Sequence, residues 1–237
     1  MTAAAIFIPG NMCDARLWTG AVRDSFARRG SPVIDADTSR DDTISGMAER
    51  ALSLVPGPLV LIGFSMGAIV ALAMAGAARD RLAACVLIGL NAGPDLPERS
   101  AVRLRQQGEV RAGGLERVLI EELKPNYLAA RNRKDRKLLG LLRDMGLALG
   151  PDVFVAQSEA LRTRPDHRPV LDSLDVPVLL ACGAEDALCP PAWHADWAAR
   201  LKRPTFRVVE GAGHMLPLEA DAWLAAGIDS WLTETLP

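Results

Sequence analysis

The apolar run Leu59-Val60-Leu61-Ile62 leads straight into Gly63-Phe64-Ser65-Met66-Gly67, and a small-residue helical pattern over 68–75 follows at once. Strand, sharp reversal and helix succeed one another with a serine at the apex. A reversal this tight leaves no room for a Cβ beside the serine, so the flanking glycines have a steric role. The serine hydroxyl is then held at the carboxyl end of a strand and at a helix N-terminus. Backbone N–H groups there, Met66 first, can bind a developing oxyanion.

A neutral serine needs a base, and the base needs a carboxylate to set its tautomer and stabilise its charged form. The chain has three histidines, His167, His194 and His214. His214 lies in Glu210-Gly211-Ala212-Gly213-His214, directly after the strand-like 206–209. A glycine-flexed loop at a strand end can bring an imidazole over a neighbouring strand end. His194 falls in a helical stretch and His167 in a polar loop, so His214 is the expected base. For the acid, the apolar run 178–182 reads as a buried strand, and Gly183-Ala184-Glu185-Asp186 follows it. Asp186 is favoured, with Glu185 as its local rival and Asp95 as a more distant one.

Candidate strands at 4–8, 33–35, 59–63, 85–90, 178–182 and 206–209 alternate with helical patterns at 14–29, 44–54, 66–78, 191–201 and 217–233. Such alternation predicts an α/β fold: a parallel sheet of about six strands with helices on both faces. One stretch breaks the rhythm. From 95 to 170 no clear strand appears, and helical patterns occupy 101–107, 115–123, 135–149 and 153–161. Its charge differs in sign from the remainder, with 15 Lys and Arg against 11 Asp and Glu, while the whole chain carries a net −2.

Gly63-Phe64-Ser65-Met66-Gly67, Gly183-Ala184-Glu185-Asp186 and Gly211-Ala212-Gly213-His214 together resemble the α/β-hydrolase family. The opening Phe7-Ile8-Pro9-Gly10-Asn11-Met12-Cys13-Asp14-Ala15-Arg16-Leu17-Trp18 resembles small bacterial members of it. The likeness runs from about residue 6 to 231 and is weakest between 94 and 169. It implies the chain order Ser65, Asp186, His214 for the catalytic residues. It implies a second oxyanion N–H from the loop after the first strand, where many members have His-Gly and this chain has Pro9-Gly10. Asn11 is the first candidate there and Met12 the second, acting with Met66. The resemblance also implies that the family's usual first two strands are absent. Residues 1–94 and 171–237 would form the core, and 95–170 a helical cap inserted over Ser65. Met12, Phe64, Met145 and Met215 are candidates for the substrate pocket.

The activity implied is two-step acyl transfer on a small carboxylic ester, thioester or lactone, without cofactor or metal. Other chemistries hosted by this fold stay open: carbon–carbon bond hydrolysis, a perhydrolase or haloperoxidase-like reaction, and a menaquinone-pathway lyase. A non-catalytic receptor of the same fold is the rival of another class. With charged residues at 24% and a near-neutral balance, the expected partner is a small molecule, not nucleic acid or membrane. Oligomeric state is not legible. The N-terminus lacks the basic start of a signal peptide, and Cys13, Cys85, Cys182 and Cys189 are scattered. The expectation is a cytoplasmic protein with reduced thiols.

Overall fold

The structure, a computed structural model, describes residues 2–123 and 126–236. Six strands form one sheet in the order β2-β1-β3-β4-β5-β6. They are β1 Ala4–Ile8, β2 Val33–Asp35, β3 Leu59–Phe64, β4 Leu82–Ile88, β5 Val178–Gly183 and β6 Pro204–Val209. Every neighbouring pair is parallel. β1, β3 and β5 are buried along their whole length, which is why they read as unbroken apolar runs. β2 and β6 are the edge strands, and most of β6 is exposed or half-buried.

Helices cover both faces. On one lie α1 Gly20–Ala27 and α10 Asp221–Thr235, whose Phe26, Ile228 and Trp231 pack with Phe7 and Ile62 of the sheet. On the other lie α2 Ile44–Ser53, α3 Met66–Ala77, α7 Arg168–Ser173 and α8 Pro191–Arg200. α3 is buried on nearly every side, and its alanines let it approach the strands closely. Each fully buried Leu, Ile or Val in this layer stabilises the fold by roughly 1.5–3 kcal/mol.

The stretch between β4 and β5 contains only helices and turns among the described residues. α4 Pro97–Arg111 is followed by the short α5 Leu115–Arg117, which continues as a π-helix, Val118–Leu123. α6 Arg136–Arg162 follows, before α7, and bends at Gly150, where φ is 85° and Pro151 follows. Here 135–149 and 153–161, read separately in the sequence, run as one bent element. The stretch has its own small core of Val110, Leu115, Val118, Leu119 and Phe154, and Met12 inserts into it from the sheet side.

Two expected helices are interrupted. The pattern at 14–29 becomes a 3₁₀ turn, Ala15–Leu17, and then α1, because Thr19 is extended between them. The pattern at 217–233 divides at Ala220 into α9 Leu216–Glu219 and α10. Among the described residues no helix is long and apolar enough to cross a membrane. All four cysteines are buried.

Candidate active site

The reversal between β3 and α3 is strained as its sequence requires. Ser65 has φ 53° and ψ −114°, outside the regions an L-residue occupies at low energy. Such a backbone costs on the order of 1–3 kcal/mol and persists only where its surroundings hold it. Here the Ser65 N–H donates to the Ile88 carbonyl at 2.8 Å, tying the elbow to the end of β4. A Cβ on Gly67 would collide with the carbonyl oxygen of Ile8, and one on Gly63 with that of Gly67. The two glycines therefore let β1, β3 and α3 meet at the serine.

Ser65 Oγ lies 2.9 Å from His214 Nε2, and His214 Nδ1 lies 2.7 Å from Asp186 Oδ2. His214 and Asp186 are both buried, at 3% exposure. The other oxygen of Asp186 accepts the N–H groups of Leu188 and Cys189, at 2.9 and 2.8 Å. Burial pushes the Asp186 pKa up, but the His214 imidazole and the Cys189 N–H outweigh it, and the carboxyl sits below its ordinary value. The carboxylate is thus held ionised and aimed at the ring. Since Asp186 can only accept, Nδ1 carries the proton and Nε2 faces Ser65 with its lone pair.

The His214 loop is strapped to the helical stretch before β5. Glu219 accepts from Gly213 N–H at 3.0 Å, Ala129 N–H at 2.8 Å and Asn132 Nδ2 at 2.9 Å. Met215 N–H donates to the Tyr127 carbonyl at 3.1 Å, and the Tyr127 ring centroid lies 5.7 Å from that of His214. Neither Glu219 nor Tyr127 stood out in the sequence. Tyr127 meets Met215 across 88 residues, and Glu219, six residues after Gly213, ties that loop to Ala129 and Asn132 across about 90.

Beside the serine, the Met66 N–H is the first of α3 and has no intrahelical acceptor. The Asn11 N–H also has no protein acceptor among the described residues. The Met12 N–H differs: it donates to Gln157 Oε1 at 2.8 Å.

A family model described as the alpha/beta hydrolase family matches residues 5–226. The chain belongs to the α/β hydrolase family. The hydrolase is 28% identical over 186 residues to a pimeloyl-[acyl-carrier protein] methyl ester esterase of Neisseria meningitidis serogroup B (strain H44/76), covering 76% of this chain and 71% of that one. Among solved structures, it matches a thermophilic esterase from Thermogutta terrifontis with malate bound, with TM-score 0.88 and 28% identity, over 98% of this chain and 90% of that one. The enol-lactonase from Burkholderia xenovorans LB400 shares the fold, with TM-score 0.85 at 20% identity over 98% and 92% of the two chains.

In this hydrolase Ser65 and His214 open onto a cavity of about 330 Å³. Its wall is shared by the two parts of the chain. Asn11, Phe64, Met66 and Met215 come from the sheet side, and Val102, Gln106, Phe154 and Leu161 from the helical stretch. Two expected pocket residues are not there. Met12 is fully buried in the small core with Phe154 and Leu119. Met145 is fully buried with Leu142 and Leu128 against the sheet. Both are long apolar side chains near the site, and the face each presents decides its place.

The rival acids and bases are engaged elsewhere. Glu185 accepts the Ala130 N–H at 2.8 Å, away from the imidazole. Asp95 is a buried partner of Arg164 at 2.8 Å and of Arg103 at 2.9 Å. His194 is fully buried, and its Nε2 accepts the Leu90 N–H at 2.9 Å. Burial pushes its pKa down, keeping it a neutral acceptor at the end of β4. His167 stands at the start of α7 with no side-chain capping bond and its Nε2 buried without a partner among the described residues, and burial followed by the nearby Arg164 lowers its pKa too.

Proposed function

We propose that this hydrolase cleaves small carboxylic esters by two-step acyl transfer, with Ser65 as nucleophile, His214 as general base and acid, and Asp186 as the group that orients and stabilises the imidazole. The observation that carries the reading is the hydrogen-bonded chain Asp186–His214–Ser65 opening onto a shared cavity. The esterases of Neisseria meningitidis and Thermogutta terrifontis support it at 28% identity.

Ser65 Oγ attacks the ester carbonyl as its proton passes to His214 Nε2. The carbonyl oxygen becomes an oxyanion, held by the N–H groups of Met66 and Asn11. The imidazolium then gives its proton to the departing alcohol. Water, deprotonated by His214, attacks the acyl-serine, and Ser65 leaves with the proton as the acid is released. The helical stretch 95–170 acts as a lid that limits acyl size and excludes water.

A fluorophosphonate probe should label Ser65 and no other residue, and short p-nitrophenyl esters should turn over. A protein neither labelled nor active on esters would overturn the reading. Labelling at Ser65 without turnover of any ester would instead favour a ligand receptor built on this fold.

Gln157 positions the oxyanion loop in this scheme. It is fully buried on α6, and its oxygen accepts both the Met12 N–H at 2.8 Å and Asn11 Nδ2 at 3.2 Å. Its nitrogen donates to the carbonyl and hydroxyl oxygens of Thr38, at 3.1 and 3.3 Å. Met12 has φ 52°, a conformation costly for a side-chain-bearing residue, and Gln157 helps to hold it. Holding Met12 leaves the preceding Asn11 N–H for substrate. Gln157→Leu should lower kcat by roughly 10- to 100-fold, less than outright loss of an oxyanion donor. KM should change little, and affinity for a boronic acid, which forms a tetrahedral adduct on the serine, should fall in step with kcat. A stable variant with kcat within twofold of the parent would remove this role.

A further inference from the structure

The wall of the cavity opposite the sheet is cationic in an unusual way. Arg99, Val102, Arg103 and Gln106 recur at one face of α4 and all line the space that holds Ser65 and His214. Arg164 lines it from beyond the end of α6. These three guanidiniums are compensated unequally. Asp95, with its side chain 1% exposed, accepts from both Arg103 and Arg164, so one carboxylate serves two cations.

Arg164 spends three of its five N–H donors among the described residues, and one of them meets a carboxylate. Its Nε donates to the Gly93 carbonyl at 2.9 Å, and its Nη1 to Asp95 and the Leu161 carbonyl, both at 2.8 Å. Among the described residues Arg103 donates only its Nε, to Asp95. Arg99 has no carboxylate partner among the described residues. It donates one N–H to the Leu188 carbonyl at 2.9 Å, and its guanidinium lies 5.7 Å from the centre of the Trp193 ring. Both contacts fix the group in place without neutralising it.

The acids on the same wall do not meet this need. Glu122 is taken by Arg105 at 2.5 Å, Arg117 at 2.9 Å and Gln106 at 3.0 Å. Glu98, next to Arg99 in sequence, is exposed in the first turn of α4 and forms no ion pair among the described residues. A half-buried guanidinium with most of its five donors unused among the described residues, one helical turn from a second whose Nη groups have no acceptor among them, matches a planar bidentate carboxylate.

We propose that Arg99, assisted by Arg103, is a carboxylate subsite, so that the preferred esters carry a free carboxylate at the end remote from the bond cleaved. The inference rests on the acyl-transfer reading and narrows it. The monoester of a dicarboxylic acid satisfies both ends of the cavity: ester carbonyl at Ser65, carboxylate at Arg99. The apolar lining between them, with Phe64, Val102 and Phe154, suits a short methylene chain. Orientation by the remote charge lowers KM and places the carbonyl for attack.

The test compares monomethyl esters of C4 to C8 dicarboxylic acids with methyl esters of the matching monocarboxylic acids. At the best chain length, kcat/KM should favour the charged ester by tenfold or more. Arg99→Gln should reduce that preference at least tenfold, chiefly through KM, and Arg99→Lys should fall between, since it keeps charge without the fork. A neutral ester hydrolysed as well as its charged partner at every length would overturn the subsite. So would an Arg99→Gln variant that slows both alike. If no ester is cleaved, the acyl-transfer reading fails, and binding of adipate to the Ser65→Ala protein by calorimetry decides the subsite alone. Binding that is lost in Ser65→Ala/Arg99→Gln supports it, and no binding, or binding indifferent to Arg99, removes it.

Discussion

Ser65→Ala should leave the protein folded and lower kcat for p-nitrophenyl acetate by roughly 10⁴- to 10⁶-fold. The side chain removed is a single oxygen, 2.9 Å from His214 Nε2, at a position whose backbone is held from outside. The Ile88 carbonyl keeps its hydrogen bond from residue 65, and the packing of Gly63 and Gly67 is untouched. Alanine adopts φ 53° no more easily than serine, so melting temperature should stay within a few degrees of the parent. What disappears is the covalent step. His214 would retain its proton-accepting nitrogen with nothing to activate but water, and the oxyanion donors would act on a reaction without an acyl-enzyme. Activity within tenfold of the parent would mean that another group attacks the ester, and the mechanism would have to be redrawn.

Replacing His214 with alanine should cost about as much, because nucleophile and base act as one unit. Asp186→Asn is the sharper experiment. In the native site one carboxylate oxygen accepts from Leu188 and Cys189 N–H, and the other faces His214 Nδ1 at 2.7 Å. The single oxygen of an asparagine would stay with the two backbone donors. Its NH₂ would then face the ring and force the proton onto Nε2, leaving no lone pair for Ser65. The expected loss is roughly 10³- to 10⁴-fold in kcat, smaller than for serine because the oxyanion hole and the nucleophile remain. If Asp186→Asn kept a tenth of the parent rate while Glu185→Gln abolished activity, the acid would be Glu185. The 2.8 Å bond from Ala130 N–H to Glu185 argues against that outcome.

Much of this protein was readable from its chain, for local reasons. β1, β3 and β5 are buried on both faces, so each appears as an apolar run with turn residues after it. Ser65 follows β3 directly, Asp186 lies three residues beyond β5, and His214 five beyond β6. In a parallel sheet all carboxyl ends lie on one side, so residues that follow strands converge without further information. β6, read as 206–209, begins two residues earlier at Pro204, because an edge strand is half-exposed and its first residues carry no apolar run.

By itself, then, the sequence determined the alternating architecture, the elbow and the order in which three chemically suited side chains leave the sheet. Those features depend on residues within about ten positions of one another, where period and turn chemistry are visible. Only the tertiary structure decided which face each side chain presents to a partner far along the chain. It turned Met12 and Met145 into core, gave Asp95 to Arg103 and Arg164, and set Gln157 beneath the Met12 amide across 145 residues. It also aimed Arg99 into the cavity with no carboxylate partner among the described residues. A basic stretch of sequence reads the same whether its charges face water, each other or a substrate. Burial and pairing distinguish these cases, and both are properties of the packed chain.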